Sequence, residues 1–130
     1  MNKTKEQQRA ADVWQKVTAQ GGGCSAGYVN LAKGLPALIM NSGLLQVLAF
    51  LHEKGDGKAG VEHARLLQEL REWLGTQWPD LKTNDFSSFM KALIAKPSGD
   101  YQRVTTEAFA WLRWMRQFAA ANKSAKGAAA

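Results

Sequence analysis

The stretch YVNLAKGLPALIMNSGLLQVLAFL (residues 28–51) is the most apolar part of the chain, and the polar residues, glycines and proline that interrupt it decide the fold class. Polar side chains interrupt it too often for a membrane span, which needs about 20 predominantly apolar residues. No strand precedes it, so it does not have the setting of a glycine-rich phosphate loop. The pattern predicts a short helix over residues 26–33, a second helix that begins at Pro36, and a corner at Asn41-Ser42-Gly43.

Residues 44–51 follow this corner, and nearly all of them are apolar. A helix that is apolar on every side is buried on every side. We therefore expect this segment to be a buried central helix, with Pro36 at an interior elbow before it.

The rest of the chain has the periodicity of amphipathic helices and no strand-like alternation. Helices are predicted over residues 4–20, 61–78, 85–95 and 99–121, with Thr4 and Gln7 spaced as a capping box and Pro79 as a stop. The predicted fold is all-α, a single-domain bundle of about six helices over residues 1–121. The low-complexity tail at residues 122–130 is expected to be disordered.

The charge is concentrated at the two ends of the sequence. Of 17 basic and 11 acidic residues, five basic and two acidic lie in residues 1–52, and again five and two in residues 97–130, whereas residues 53–96 carry seven of each. Two basic ends that meet in the fold would attract a polyanion such as a nucleic acid. A solvated surface that only keeps the protein soluble is the alternative explanation.

Spacing places Lys5, Arg9, Asp12 and Lys16 on one stripe of the first helix, which we expect to face outward. Arg113 and Arg116 lie opposite the inward stripe of the last helix, and Lys33 leads into the Gly34 break. These cations could follow a phosphate backbone without reading base sequence.

Five tryptophans are many for 130 residues. Trp14, Trp73 and Trp111 fall on predicted core stripes, whereas Trp78 and Trp114 lie at helix edges. Because tryptophan is favoured at interface anchors, Trp78 and Trp114 are predicted to contact partner proteins.

Nothing in the sequence indicates catalysis. Cys24 has no predicted base beside it, and His52 and His63 lack the spacing of a metal pair on one helix face. Glu69 with Arg65 and Glu107 with Arg103 have the spacing of solvated i, i+4 pairs. No enzymatic activity, metal or cofactor is predicted. The single cysteine and the polar N-terminus favour a cytoplasmic location.

The segment from residue 28 to residue 55 resembles a known signature. Its leucine-alanine-lysine step at residues 31–33, LPALI at 35–39, NSGL at 41–44, LAF at 48–50 and Lys54-Gly55 are similar to the small subunit of type III-B CRISPR effector complexes, the fifth protein of the Cmr module. Ser42 adds one position to the corner of that pattern. The closing TTEAFAWLRWMRQFAAA (105–121) also resembles the family, and LLQELREWL (66–74) does so more loosely.

The resemblance implies an architectural role without an active site. Copies of the family's subunit stack into a short filament beside the backbone and large subunits, along the guide CRISPR RNA and the captured target RNA. On this basis the predicted contacts to the RNA backbone are Lys5, Arg9, Lys16, Lys33, Arg113 and Arg116. Two other functions stay open: a stand-alone DNA-binding regulator of helix-turn-helix type, and an enzyme with a composite site of Cys24 and the histidines.

Overall fold

The computed structural model describes residues 2–57 and 60–124, and this part of the chain is helical with no strand. The elements in chain order are α1 (Lys5–Thr18), α2 (Ala26–Ser42), α3 (Leu44–Gly55), α4 (Val61–Gln77), a 3-10 turn (Pro79–Leu81), α5 (Phe86–Ile94) and α6 (Ser98–Ala121). The all-α, single-domain prediction is confirmed. Within these ranges, no helix combines the length and the hydrophobicity needed to cross a bilayer.

Helix α6 is the centre of the bundle. Helices α1, α2 and α4 all pack against it, and α3 packs on α2 and α4 at one side. The middle of α6 is fully buried at Trp111, Leu112 and Met115. Its buried positions recur at three and four residues from Val104 to Ala119, as expected for a helix that buries one broad face.

Local signals set most helix ends. The Thr4 hydroxyl accepts from the Gln7 backbone N–H while the Gln7 side chain reaches back to the Thr4 N–H, so the predicted capping box is confirmed. Trp78 ends α4 directly before Pro79, and the Asp85 carboxylate caps α5 by accepting from the Ser88 N–H. The side chains of Thr4 and Asp85 thus accept hydrogen bonds from backbone N–H groups that a helix start otherwise leaves unpaired.

The predicted elbow at Pro36 is wrong, because α2 runs unbroken from Ala26 to Ser42 with Pro36 inside it. A proline inside a helix costs roughly 3 kcal/mol, since the carbonyl four residues earlier loses its partner. Burial of a large apolar side chain contributes about 1.5–3 kcal/mol. Leu35 and Ile39 are buried on the same stripe as Tyr28, so packing on both sides of Pro36 offsets the cost and keeps the helix continuous.

The corner after α2 forms as predicted, at Gly43. Its φ of 85° and ψ of 158° lie in a region that glycine alone enters readily, and its N–H still donates to the Ile39 carbonyl. Burial of α3 on every side is wrong. Its buried residues are Leu44, Val47, Leu48 and Leu51, which share one face, whereas Gln46 and Ala49 are exposed.

The C-terminal end of the described chain is joined to the segment between α1 and α2. The Cys24 N–H donates to the Asn122 carbonyl at 2.7 Å, and the Ser124 N–H donates to the Cys24 carbonyl at 2.8 Å. Residues 122–124 of the predicted tail are therefore tied to the bundle by hydrogen bonds. Residues 125–130 of that tail lie outside the described residues.

Candidate functional site

The charged stripe of α1 faces the interior of the bundle, contrary to the prediction that it faces solvent. Arg9, Asp12 and Lys16 lie between α1 and its neighbours α4 and α6, and all three are part-buried. We call these three residues, with Glu69 and Glu107 opposite them, the polar seam. Lys5, at the exposed end of the same stripe, donates from Nζ to the Gln77 side chain.

At one end of the polar seam, Arg9 forms a bidentate ion pair with Glu107. Its Nε donates to Glu107 Oε2 at 2.6 Å, and its second terminal nitrogen donates to Oε1 at 2.8 Å. Trp73 Nε1 donates to the same carboxylate at 3.0 Å. The expected surface pair of Glu107 with Arg103 is wrong, because Arg103 pairs with Asp100 at 2.8 Å.

These contacts also determine the charge of Glu107. Burial raises the pKa of the Glu107 carboxyl, but the hydrogen bonds from Arg9 and Trp73 and the Arg9 charge together outweigh it, so its pKa lies below the ordinary value. The hydrogen bond to Glu107 raises the pKa of Arg9. Both groups are therefore charged, and the guanidinium of Arg9 is bound to the Glu107 carboxylate within the fold.

Lys16 holds the other end of the polar seam. Its Nζ donates to Asp12 Oδ2 at 2.8 Å and to the Glu69 carbonyl at 3.0 Å, and Asp12 also accepts from Trp111 Nε1 at 2.8 Å. The Glu69 side chain accepts from Tyr28 and, at 3.2 Å, from Arg65. The predicted Arg65–Glu69 pair thus forms, but Glu69 is buried rather than solvated. Burial raises its pKa above the ordinary value despite these partners.

The apolar stripes of α4 and α6 contain the signal that would have located the polar seam. Each has one carboxylate at a position that spacing places in the core, Glu69 in α4 and Glu107 in α6. A buried carboxylate requires hydrogen-bonding or cationic partners. Arg9 of the charged stripe supplies them for Glu107, whereas Tyr28 and Arg65 supply them for Glu69.

Three of the predicted RNA-binding residues lie on the surface and are not bound by the rest of the described chain. Lys33, Arg113 and Arg116 are exposed, and none of them makes a hydrogen bond or ion pair with a described residue. We call them the outer cations. Arg113 and Arg116 are three residues apart, so they project from the same face of α6, and Lys33 lies on α2, which packs against α6.

Three aromatic rings, of which Trp14 is exposed and the other two are part-buried, form a cluster where α1 meets α6. The Trp14 and Phe118 ring centroids are 5.3 Å apart at an interplanar angle of 80°, and those of Trp114 and Phe118 are also 5.3 Å apart. Trp14 is 49% exposed, so its predicted place in the core is wrong, whereas Trp73 and Trp111 are buried as predicted. We call Trp14, Trp114 and Phe118 the aromatic patch.

Trp78, the other predicted interface residue, lies apart from this cluster in sequence and structure. It is the residue that ends α4, and it is part-buried against the hydrophobic core. The structure therefore does not bring Trp78 and Trp114 together through any described ring contact.

Cys24 and the two histidines do not form a metal or nucleophile site in the described part of the chain. Cys24 is buried, and burial raises the pKa of its thiol, which disfavours the reactive thiolate. His52 stacks on Phe86 with ring centroids 4.0 Å apart, and His63 meets the edge of Phe50. Among the described residues, no group of three or more His, Cys, Asp or Glu side chains could hold a metal ion.

The family model of the CRISPR-associated protein Cas_Cmr5 matches residues 5–122. This range begins with α1 and continues through the end of α6, so it includes every helix of the bundle. The chain belongs to the Cas_Cmr5 family. As a member of that family it is a small subunit of type III-B Cmr complexes, which confirms the resemblance seen in the sequence. Cas_Cmr5 membership favours a component of a larger assembly over a stand-alone DNA-binding regulator.

Proposed function

We propose that this Cas_Cmr5 protein is a non-catalytic structural subunit that contributes to target RNA binding in antiviral defence. It stacks with copies of itself and with the backbone and large subunits of a Cmr complex, beside the guide and target RNA, in the cytoplasm. The observation that carries the proposal is the family match across all six helices. The positions of the cations and aromatic side chains support the surfaces proposed for RNA and protein contact.

The division among the six predicted RNA-binding residues supports charge contact with the RNA backbone. Arg9 and Lys16 neutralise carboxylates inside the polar seam, so their role in this proposal is to hold α1 in place. The outer cations and Lys5 provide the contacts to phosphate. An exposed cation without an internal partner can release counterions from RNA without first breaking a bond of the fold.

The environment of Cys24, the candidate nucleophile from the sequence, supports the proposal that this subunit is non-catalytic. The thiol of Cys24 is fully buried, with its backbone occupied by Asn122 and Ser124. A reacting atom cannot approach it without opening the bundle. An architectural subunit needs shape and surface contacts rather than an activated group.

The test of RNA contact is a triple variant, Lys33→Gln, Arg113→Gln and Arg116→Gln, assembled with the other Cmr subunits. The slope of log K against log salt is negative, and each lost phosphate contact should reduce its magnitude by about 0.7 for a single strand, so three lost contacts should reduce it by about 2 for each copy of the subunit on the RNA. Target RNA affinity is measured by filter binding over a salt series. The matched control, Lys54→Gln, Lys91→Gln and Lys123→Gln, removes the same charge from other exposed positions and should change the slope less.

Equal slopes for the triple variant and the unmodified complex would contradict RNA contact by the outer cations. Equal losses in the triple variant and its control would show that only net charge matters. The isolated proteins should unfold at the same temperature, which excludes a folding defect as the cause.

The aromatic patch supports a protein interface. Trp14 is half exposed while its ring contacts Phe118, so the cluster offers a rigid apolar surface of the kind found at interface hot spots. The double variant Trp14→Ser and Trp114→Ser should fold but co-purify less with the other subunits, by about tenfold or more. The control is Ile94→Ser, which removes an exposed apolar side chain on α5. Normal co-purification of the double variant would place the subunit contacts elsewhere.

A further inference from the structure

A groove lies on the side of the bundle where α4, the end of α3 and the segment leading into α5 meet. Its volume is about 1150 Å³, and it is open to solvent. Pro79 and Phe86 contribute accessible apolar surface above the buried Leu67 and Leu81, and Arg71 enters from the α4 side. None of these residues belongs to the polar seam, the outer cations or the aromatic patch.

Arg71 is a cation without a partner in this groove. Its Nε is buried and makes no hydrogen bond, and the guanidinium forms no ion pair with any described carboxylate. Its contact is the face of Phe89, with the guanidinium carbon 5.6 Å from the ring centroid. Burial lowers the pKa of Arg71, while Asp85 and Glu72 raise it only through longer-range attraction.

The nearby carboxylates of Asp85 and Glu72 form no hydrogen bond or ion pair with Arg71. Asp85 accepts from the Ser88 N–H at 2.7 Å as the cap of α5, and Glu72 is exposed. A part-buried guanidinium without an acceptor carries a desolvation cost that an incoming oxyanion would offset. Arginine presents paired N–H groups that match the two oxygens of a carboxylate.

The charges that line the groove indicate which class of molecule carries this oxyanion. Arg71 and Lys82 bring two positive charges to the groove, and Asp56 and Glu72 bring two negative charges. A nucleic-acid strand, with a charge on every nucleotide, gains little from a balanced surface. A single carboxylate flanked by apolar side chains suits one central cation with apolar walls.

We propose that this groove binds a peptide segment of a protein partner, in which an acidic side chain between apolar residues pairs with Arg71. The carboxylate meets the guanidinium at the α4 wall, and the flanking apolar side chains lie on Pro79 and Phe86. The stacked rings of His52 and Phe86 form part of the groove wall. The site is separate from the RNA contact proposed above and does not depend on it.

The test is nuclear magnetic resonance of the arginine Nε–H groups in the full chain, with two tripeptide probes and an RNA probe. Acetyl-Leu-Glu-Leu-amide should shift the Arg71 signal saturably, and acetyl-Leu-Gln-Leu-amide should bind about tenfold more weakly, because the charge-assisted bond is lost. An adenine oligoribonucleotide should leave the signal unchanged. The variant Arg71→Lys keeps the positive charge but not the paired N–H groups of the guanidinium. Its binding is followed through the backbone amide of Phe86, because the Arg71 signal is absent, and it should bind the glutamate peptide several-fold more weakly.

Equal binding of the two peptides would overturn the proposal, and so would the absence of a saturable shift with either. A larger Arg71 shift with the oligoribonucleotide would assign the groove to phosphate and overturn it as well. Lys82→Gln, at the same groove, serves as the matched control and should retain the difference between the peptides. Loss of the RNA-binding effect of the outer cations would leave this result unaffected.

Discussion

Two sets of basic residues, each spaced to share one face of its helix, have opposite environments in this molecule. Arg9 and Lys16 on α1 are enclosed between helices and paired with carboxylates, whereas Arg113 and Arg116 on α6 are exposed and make no bond to a described residue. The spacing of charges along a helix does not distinguish these cases. What separates them is whether a neighbouring helix presents a hydrogen-bond acceptor at a core position, as α6 does to Arg9 and α4 does to Lys16.

The difference assigns separate roles to the two sets. Cations of the polar seam stabilise the fold, and their removal should reduce stability. Outer cations contribute little to folding, and their removal should affect only what binds the surface. Stability measurements can therefore test the comparison directly.

The largest expected effect on stability is that of Arg9→Met. This variant leaves the part-buried carboxylate of Glu107 without its main partner, which should cost about 2–3 kcal/mol, less than the 3–5 kcal/mol of a fully buried pair because Arg9 retains some solvent contact. Urea denaturation measures the free energy of unfolding. Arg103→Met is the matched control, because the exposed Arg103–Asp100 pair should contribute less than about 0.5 kcal/mol. Equal losses in both variants would show that Arg9 behaves as a surface residue.

A second, smaller effect is the pH dependence of stability at the two buried glutamates. The pKa of Glu107 is lower in the folded state than the ordinary 4.5, so its stabilising contribution is complete above pH 4.5 and is lost as pH falls through the folded pKa. The difference in unfolding free energy between the unmodified protein and Glu107→Gln should therefore narrow in acid. At neutral pH it should be about 1.5–2 kcal/mol.

Glu69 should show the opposite sign, because burial raises its folded-state pKa above 4.5. The cost of burying its charge is present above that pKa and is relieved as pH falls through it towards 4.5. Relative to Glu69→Gln, the unmodified protein should therefore gain stability over this range. Denaturant titrations of both variants between neutral and acid pH measure the two slopes. Parallel slopes would contradict the assigned environments.

The smallest effect is expected on the exposed side of α6. Arg113→Gln combined with Arg116→Gln should change the free energy of unfolding by less than about 0.5 kcal/mol, because exposed side chains without partners contribute little. Thermal and urea unfolding of the isolated protein measure this change. A loss above about 1 kcal/mol would mean that these arginines support the bundle, and the comparison with the polar seam would fail.

The sequence predicted the helices well because their ends have strong local signals. Thr4 with Gln7, Gly43 and Pro79 each restrict the backbone or satisfy its end groups within a few residues. Such signals do not depend on the rest of the fold. The continuous α2 is the exception, since only the burial of its stripe on both sides of Pro36 overrides the local signal.

The faces of the helices were harder to predict, and α1 shows why. Val13 and Val17 are buried, and the helix could bury them together with either Trp14 on one side or Arg9 and Lys16 on the other. Hydrophobicity alone favours Trp14. The structure takes the charged side because the buried Glu107 carboxylate needs Arg9 and the Glu69 backbone carbonyl accepts from Lys16, which are properties of α6 and α4 rather than of α1. The same long-range dependence leaves Trp14 exposed and available to the aromatic patch.

The central position of α6 also has a consequence for synthesis on the ribosome. The contacts that complete the bundle, such as those of Trp111 and Met115, come from α6, which is made after the other five helices. Until it emerges, α1 lacks the helix on which it packs, and α2 and α4, which also pack on each other and on α3, keep the faces that α6 covers exposed. A nascent chain with exposed apolar surface is prone to aggregation. Folding of this subunit is therefore expected to be mainly post-translational, and shielding by chaperones during elongation should increase its soluble yield.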